Sequence, residues 1–189
     1  MPQVFVLGID PGLASFGLAI VALTPTEEIV HELLVKTTEP SSRKLNVLAA
    51  DDTFSRARKL AELFEGHVNR MGESLHAICA ESMSWPRSST NATKTAISWG
   101  ILASVAVRTK LPLVMATPME IKTAVCNSKT ASKGEVQKAL FKRYPDAAAL
   151  KTFKKFVGKT KQEHGFDALG SVVACLDSEV IRLARRFSS

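Results

Sequence analysis

The sequence predicts an α/β fold in which a mixed five-stranded sheet, a three-strand antiparallel meander plus parallel strands, is flanked by helices. Three observations predict it. Three apolar runs stand close together near the start: Val4–Ile9, Ser15–Leu23 and Glu28–Lys36. After them, short apolar runs alternate with longer stretches of helical spacing. The remainder carries helical patterns alone. A meander followed by alternating helix and strand implies a mixed sheet with helices packed on it.

The first run stops at Asp10-Pro11-Gly12, so a buried strand enters a turn there. The short spacers to the next two runs make the three an antiparallel meander. Residues 37–51 are polar, contain Pro40-Ser41-Ser42 and read as a loop. Asp52–Met71 has apolar residues at 54, 57, 60, 61, 63 and 64, which is helical spacing. Leu75–Ala80 is a fourth strand ending near Glu81, and Trp85-Pro86-Arg87-Ser88-Ser89 is a loop.

Thr90–Thr109 is a helix in which only Ser98, Gly100 and Ser104 interrupt the apolar residues from Ala96 to Val107. Such a helix is covered on two sides. One cover is the sheet; the other is either more core or a second subunit. Glycine in a helix interior costs ~1 kcal/mol against alanine, so close packing along Ala96, Gly100 and Ser104 is expected. Leu113–Ala116 is the fifth strand. Thr117-Pro118 starts a short helix to about Val125, and Ser132 with Glu135 caps a helix to Tyr144. The lysine-rich residues 145–161 receive no element, and a last helix is expected from about Glu163 to Arg186. The predicted order is β-β-β-α-β-α-β-α-α-α, in one domain spanning residues 1–189.

Composition narrows the function classes. Hydrophobic residues make up 46% of 189 and charged residues 23%, which is ordinary for a globular chain. Lys and Arg outnumber Asp and Glu by 25 to 18, and the net charge of +7 favours a polyanionic partner. Cys79, Cys126 and Cys175 are scattered, which argues against a zinc site or a disulfide framework. No stretch reaches the ~18 apolar residues needed to span a bilayer. The apolar start has neither a basic lead nor a long apolar core, so no secretory signal is expected. A cytoplasmic protein with no membrane partner is the expectation.

Four residues stand at chemically useful places. Asp10 ends the first strand and Glu81 ends the fourth. Asp167 sits in the first turns of the last helix, and His164, three residues earlier, shares its face. Adjacent strands would bring Asp10 and Glu81 side by side, and a helix end over them would add the other two. Hard cations such as Mg²⁺ or Mn²⁺ take carboxylate oxygens, and two such ions clamp the attacking and leaving oxygens of a phosphodiester. Each residue alone has an ordinary explanation: a turn, a solvated strand end, a helix-dipole partner or a surface histidine. Together they favour metal binding by Asp10, Glu81, His164 and Asp167.

The motifs then become specific. Gly8-Ile9-Asp10-Pro11-Gly12, followed by Phe16-Gly17, resembles the N-terminal motif of RuvC-type Holliday junction resolvases, members of the RNase H-like superfamily. Ala80-Glu81 before a loop and the helix with Gly100 resembles their second acidic motif. Pro118-Met119-Glu120-Ile121-Lys122, eleven residues before Lys133, is similar to their paired lysines, and His164-Gly165-Phe166-Asp167-Ala168-Leu169 to their final motif. The resemblance runs in order from about residue 4 to residue 175. It implies an RNase H-like fold and a homodimer that nicks two strands of a four-way DNA junction with two Mg²⁺ or Mn²⁺ ions per site. It assigns catalysis to Asp10, Glu81, His164, Asp167 and Lys122, and DNA contact to Lys122 and Lys133. It also implies a bacterial or phage-infected cell and a branch-migration helicase as partner.

The chain departs from the pattern. Ser84 stands where many members have an aromatic residue, although the adjacent Trp85 could stack on a base. Gly170 stands where alanine is common. These differences mark a divergent member and bear on junction specificity more than on hydrolysis. Trp85, Arg87, Lys159 and Lys161 are further candidates for DNA contact, the lysines because their run precedes His164. An actin-like ATPase would need roughly twice this length. An RNase H-like nuclease for flaps, other branched DNA or RNA–DNA hybrids is the alternative function. A junction-binding protein without catalysis fits poorly with the intact acidic set.

Overall fold

In a computed structural model of the chain, residues 4–38, 48–82 and 88–187 are described. The centre of the expected 37–51 loop, and Trp85 and Arg87, lie outside them. The strands are β1 (Val4–Asp10), β2 (Ser15–Leu23), β3 (Glu28–Thr37), β4 (Leu75–Glu81) and β5 (Leu113–Ala116). The helices are α1 (Ala49–Met71), α2 (Ser89–Thr109), α3 (Pro118–Cys126), α4 (Lys133–Arg143), α5 (Ala148–Phe156), α6 (Lys159–Cys175) and α7 (Glu179–Phe187). The sheet order is β3-β2-β1-β4-β5. β1, β2 and β3 form the antiparallel meander, and β1/β4 and β4/β5 are parallel. The predicted mixed five-stranded sheet is therefore the observed one.

Strand alternation divides the core into two layers. Val4 and Val6 of β1, with Ala19, Val21 and Leu23 of β2, face Ala168, Leu169 and Val172 of α6. Leu7 and Ile9, with Phe16, Leu18 and Ile20, face Leu60, Phe64 and Val68 of α1 and Leu102 and Val105 of α2. β1 is thus buried on both faces, which explains its unbroken apolar run. The same alternation puts Asp10 on the α6 side, in phase with Val4 and Val6.

Two sequence expectations need correction. Residues 148–156 form a helix, α5, that burial of Leu150 and Phe153 at i, i+3 holds against the core. The lysines around those two residues conceal this periodicity. The expected single last helix is two: α6 begins at Lys159 and ends at Cys175, and α7 begins after Ser178. Ser178 Oγ accepts a hydrogen bond from the Ile181 amide at 3.4 Å, a capping contact that restarts the helix. The expected capping box at Ser132 with Glu135 is formed, and Thr117, expected as a cap before Pro118, forms a second box with Glu120.

α2 resolves the question of its two covers on one side only. Ser98, Leu102, Val105 and Ala106 are buried. Ala96, Gly100, Ala103, Ser104 and Val107 are exposed, Val107 by 78%. A side chain added at Gly100 would meet nothing within 4 Å. Packing among the described residues therefore does not account for the expected small-residue ridge.

Candidate active site

Asp10 and Glu81 end neighbouring parallel strands. β1 and β4 pair through Gly8↔Cys79 and Ile9↔Ala80, so the next residues, Asp10 and Glu81, continue the register side by side. Carboxyl ends of adjacent parallel strands are where open α/β sheets place ligands. α6 crosses this end because two glycines let it approach. A Cβ on Gly8 would lie 2.2 Å from the Ala168 carbonyl oxygen, and one on Gly17 would lie 1.8 Å from that of His164. Gly17 is the β2 partner of Asp10. The absence of a side chain at Gly17 therefore brings His164 to Asp10: its Nδ1 donates to Asp10 Oδ2 at 2.6 Å. Asp167, one turn further along, faces the same end of the sheet.

The cluster is electrostatically tense. Burial pushes the Glu81 carboxyl up to about 7, and the charges of Asp10 and Asp167 add to the shift. Burial pushes Asp167 up to about 6, again with Asp10 adding. The hydrogen bond to Asp10 raises the His164 imidazole against the opposing effect of its own burial. Lys133 and Lys122 pull Glu81 the other way, and Lys133 does so for Asp167. Half-buried carboxylates that repel one another and are only partly offset by lysines suit a divalent cation in charge and donor type. A ready-made cage is not present: among the described residues no group of three or more His, Cys, Asp and Glu side chains stands close enough to hold one ion. Asp10 is engaged by His164 instead.

The other candidates divide. Lys122, half-buried on α3, and Lys133, at the start of α4, both act on the cluster through their charge. Lys133 Nζ is also paired with Glu163 Oε2 at 2.5 Å. Sequence reasoning missed Glu163, because an acidic residue in a lysine-rich run reads as solvated. Its one signal was its place beside His164. Lys159 lines a cavity next to Asp167, whereas Lys161 is exposed on the first turn of α6 and does not line it. Trp85 and Arg87 lie outside the described residues.

This mixed five-stranded sheet, crossed at the ends of its central strands by a helix, has the RNase H-like fold. The family model of crossover junction endodeoxyribonuclease RuvC matches residues 6–144. The chain belongs to that family, whose members are metal-dependent nucleases. The crossover junction endodeoxyribonuclease RuvC of Natranaerobius thermophilus is 28% identical over 134 residues, 70% of this chain and 76% of the relative. Among solved structures, T. thermophilus RuvC in complex with Holliday junction substrate superposes with a TM-score of 0.71 at 21% identity, covering 98% of this chain and 97% of that one. A second Thermus thermophilus RuvC structure gives 0.67 at 18% identity, covering 98% of each chain. The structural likeness thus extends over His164 and Asp167, which lie past the residues that the family model matches. No described helix is long and apolar enough to cross a membrane.

Proposed function

We propose that this chain resolves four-way DNA junctions by phosphodiester hydrolysis at the carboxylate cluster, acting as a homodimer that makes paired symmetric nicks. The observation that carries the reading is the arrival of Asp10, Glu81, His164 and Asp167 at one end of the sheet in a chain of the RuvC family. Asp10, Glu81 and Asp167 would hold the two Mg²⁺ or Mn²⁺ ions. Ions bound there polarise the phosphodiester and make water a better nucleophile.

The chain's own residues do the positioning. Water adds to phosphorus, the bond to the 3′ oxygen breaks, and that oxygen leaves as a hydroxyl with a proton from solvent. His164, oriented by Asp10 through Nδ1, takes the water's proton on its other ring nitrogen. Lys122 and Lys133, whose charges already reach Glu81, meet the phosphate oxygens. Apolar residues at helical spacing on the exposed face of α2 supply a self-complementary surface, and a two-fold dimer matches the two-fold symmetry of a junction.

One assay tests this reading: protein with Mg²⁺ or Mn²⁺ on a four-way junction, linear duplex, flap and RNA–DNA hybrid in parallel. Paired nicks confined to the junction are expected. Equal cutting of flap or hybrid would replace junction resolution by the broader nuclease activity. Sedimentation at micromolar concentration is expected to give a dimer, and a monomer that persists with junction DNA would remove the α2 interface.

A further inference from the structure

We infer that the cavity between α4, α5 and α6 docks one backbone phosphate of the DNA strand beside the active site, gripped by Lys154 and Lys159. This rests on the reading of the chain as a junction endonuclease and adds a contact to it. The cavity has a volume of roughly 320 Å³ and is lined by Lys133, Gln137, Lys154, Lys159, Glu163 and Asp167, among others. Asp167 belongs both to this wall and to the carboxylate cluster, so the cavity adjoins the cluster directly.

Charge selects the ligand. Lys133 and Glu163 largely neutralise each other. Lys154 and Lys159 have no carboxylate within ion-pair distance among the described residues. Lys154 Nζ stands 4.9 Å from the centre of the Phe141 ring, a contact that holds the ammonium without cancelling its charge. Two such ammonium groups are donors only and make strong contacts to an anionic oxygen. The Gln162 amide in the same wall is already used. Gln162 Nε2 donates to the carbonyls of Lys154 at 3.1 Å and Val157 at 2.6 Å, and its Oε1 accepts from Gln137 Nε2 at 3.3 Å. The same bonds tie the end of α5 to α6 and α4, so the backbone carrying Lys154 is set before DNA arrives.

The role of Lys154 and Lys159 is to position the strand rather than to read its sequence.

The test is the salt dependence of junction binding in EDTA. Replacing both residues, Lys154→Gln with Lys159→Gln, is expected to weaken binding and to lower the slope of log affinity against log salt by about 1, the loss of one phosphate contact. Lys138→Gln, a lysine on α4 outside this cavity, is expected to leave the slope as it is. A walk of single neutral methylphosphonates along the cut strand is expected to find one position that weakens the wild type and not the double variant. Both lysines are exposed, so the fold is retained, and a circular dichroism melt checks it. The two single variants give independent readings. An unchanged slope in the folded double variant, or no position with that differential effect, overturns the inference. Wild-type protein that binds the junction and never cuts it removes the nuclease reading but leaves this one to the slope. A wild type that cuts, with variants of unchanged slope, removes this one alone.

Discussion

The two ends of the sheet handle half-buried acid in opposite ways. At the far end, Glu28 opens β3 and accepts hydrogen bonds from Arg143 Nη2 at 2.7 Å, Arg143 Nε at 3.0 Å and the Tyr144 hydroxyl at 2.6 Å. Burial alone would raise its carboxyl, but those bonds and the guanidinium charge hold it below its ordinary value. At the active-site end, Glu81 and Asp167 are half-buried, have no such partners among the described residues, and are pushed up to about 7 and about 6. One end uses a carboxylate to pin α4 to the meander. The other keeps carboxylates that cost stability, as functional sites often do. On the proposed reading, the difference separates acid that holds the fold from acid kept for a ligand.

The comparison can be broken by removing acid from each end. Glu81→Gln and Asp167→Asn are each expected to lower junction cleavage by about a hundredfold or more. In EDTA the same variants are expected to melt a few degrees above the wild type, which a calorimetric scan would show; a lower melting temperature would contradict the tension assigned to the site. Glu28→Ala is expected to destabilise the chain by about 2 kcal/mol, since it leaves Arg143 and Tyr144 without their partner. Denaturant titration checks this, and no loss would mean that the far end is not pinned by Glu28.

The two ends should also carry opposite pH signatures. The folded values of Glu81 and Asp167 lie above the unfolded ones of 4.5 and 3.8. Stability from their protonated forms is present below those unfolded values and is lost as pH rises through about 6 and about 7. The advantage of Asp167→Asn over wild type should therefore be small at pH 4 and largest above pH 7. For Glu28, whose folded value is depressed, the contribution is present above 4.5 and is lost as pH falls through the folded value. The deficit of Glu28→Ala should accordingly shrink in acid. The smallest expected effect is a rise in melting temperature on adding Mg²⁺ or Mn²⁺ to the wild type, absent in Glu81→Gln, because a ligand stabilises only a fold that binds it.

Much of this was legible in the residues. The alternation of β1 places Asp10 in phase with Val4 and Val6, and that of β4 places Glu81 in phase with Ala77 and Cys79, so both reach one face of the sheet. Gly8 and Gly17 lay in the motif but were read only as motif letters. Their physical work, letting the α6 backbone touch the strands, needs the third dimension. α5 stayed hidden because Leu150 and Phe153 are the only residues of that helix that are fully buried, and five lysines across 151–161 outweigh them in any count of polarity. The Lys133–Glu163 pair joins residues thirty apart on separate helices, a separation that local spacing cannot reveal. The break after Cys175 depended on one serine hydroxyl reaching a backbone amide.

α6 joins the two themes in a single helix. Ala168, Leu169 and Val172 are fully buried, and burying a valine or leucine side chain contributes about 1.5–3 kcal/mol. That half fixes the helix, so that the half carrying His164 and Asp167 is presented at a defined place. The most direct test of the account is Asp10→Asn on a four-way junction with Mn²⁺, with cleavage and binding measured on the same DNA. Loss of both nicks with binding retained near the wild-type level is the expected result. Strong cutting by the variant would contradict the assignment of Asp10 and, with it, the proposed chemistry of the cluster.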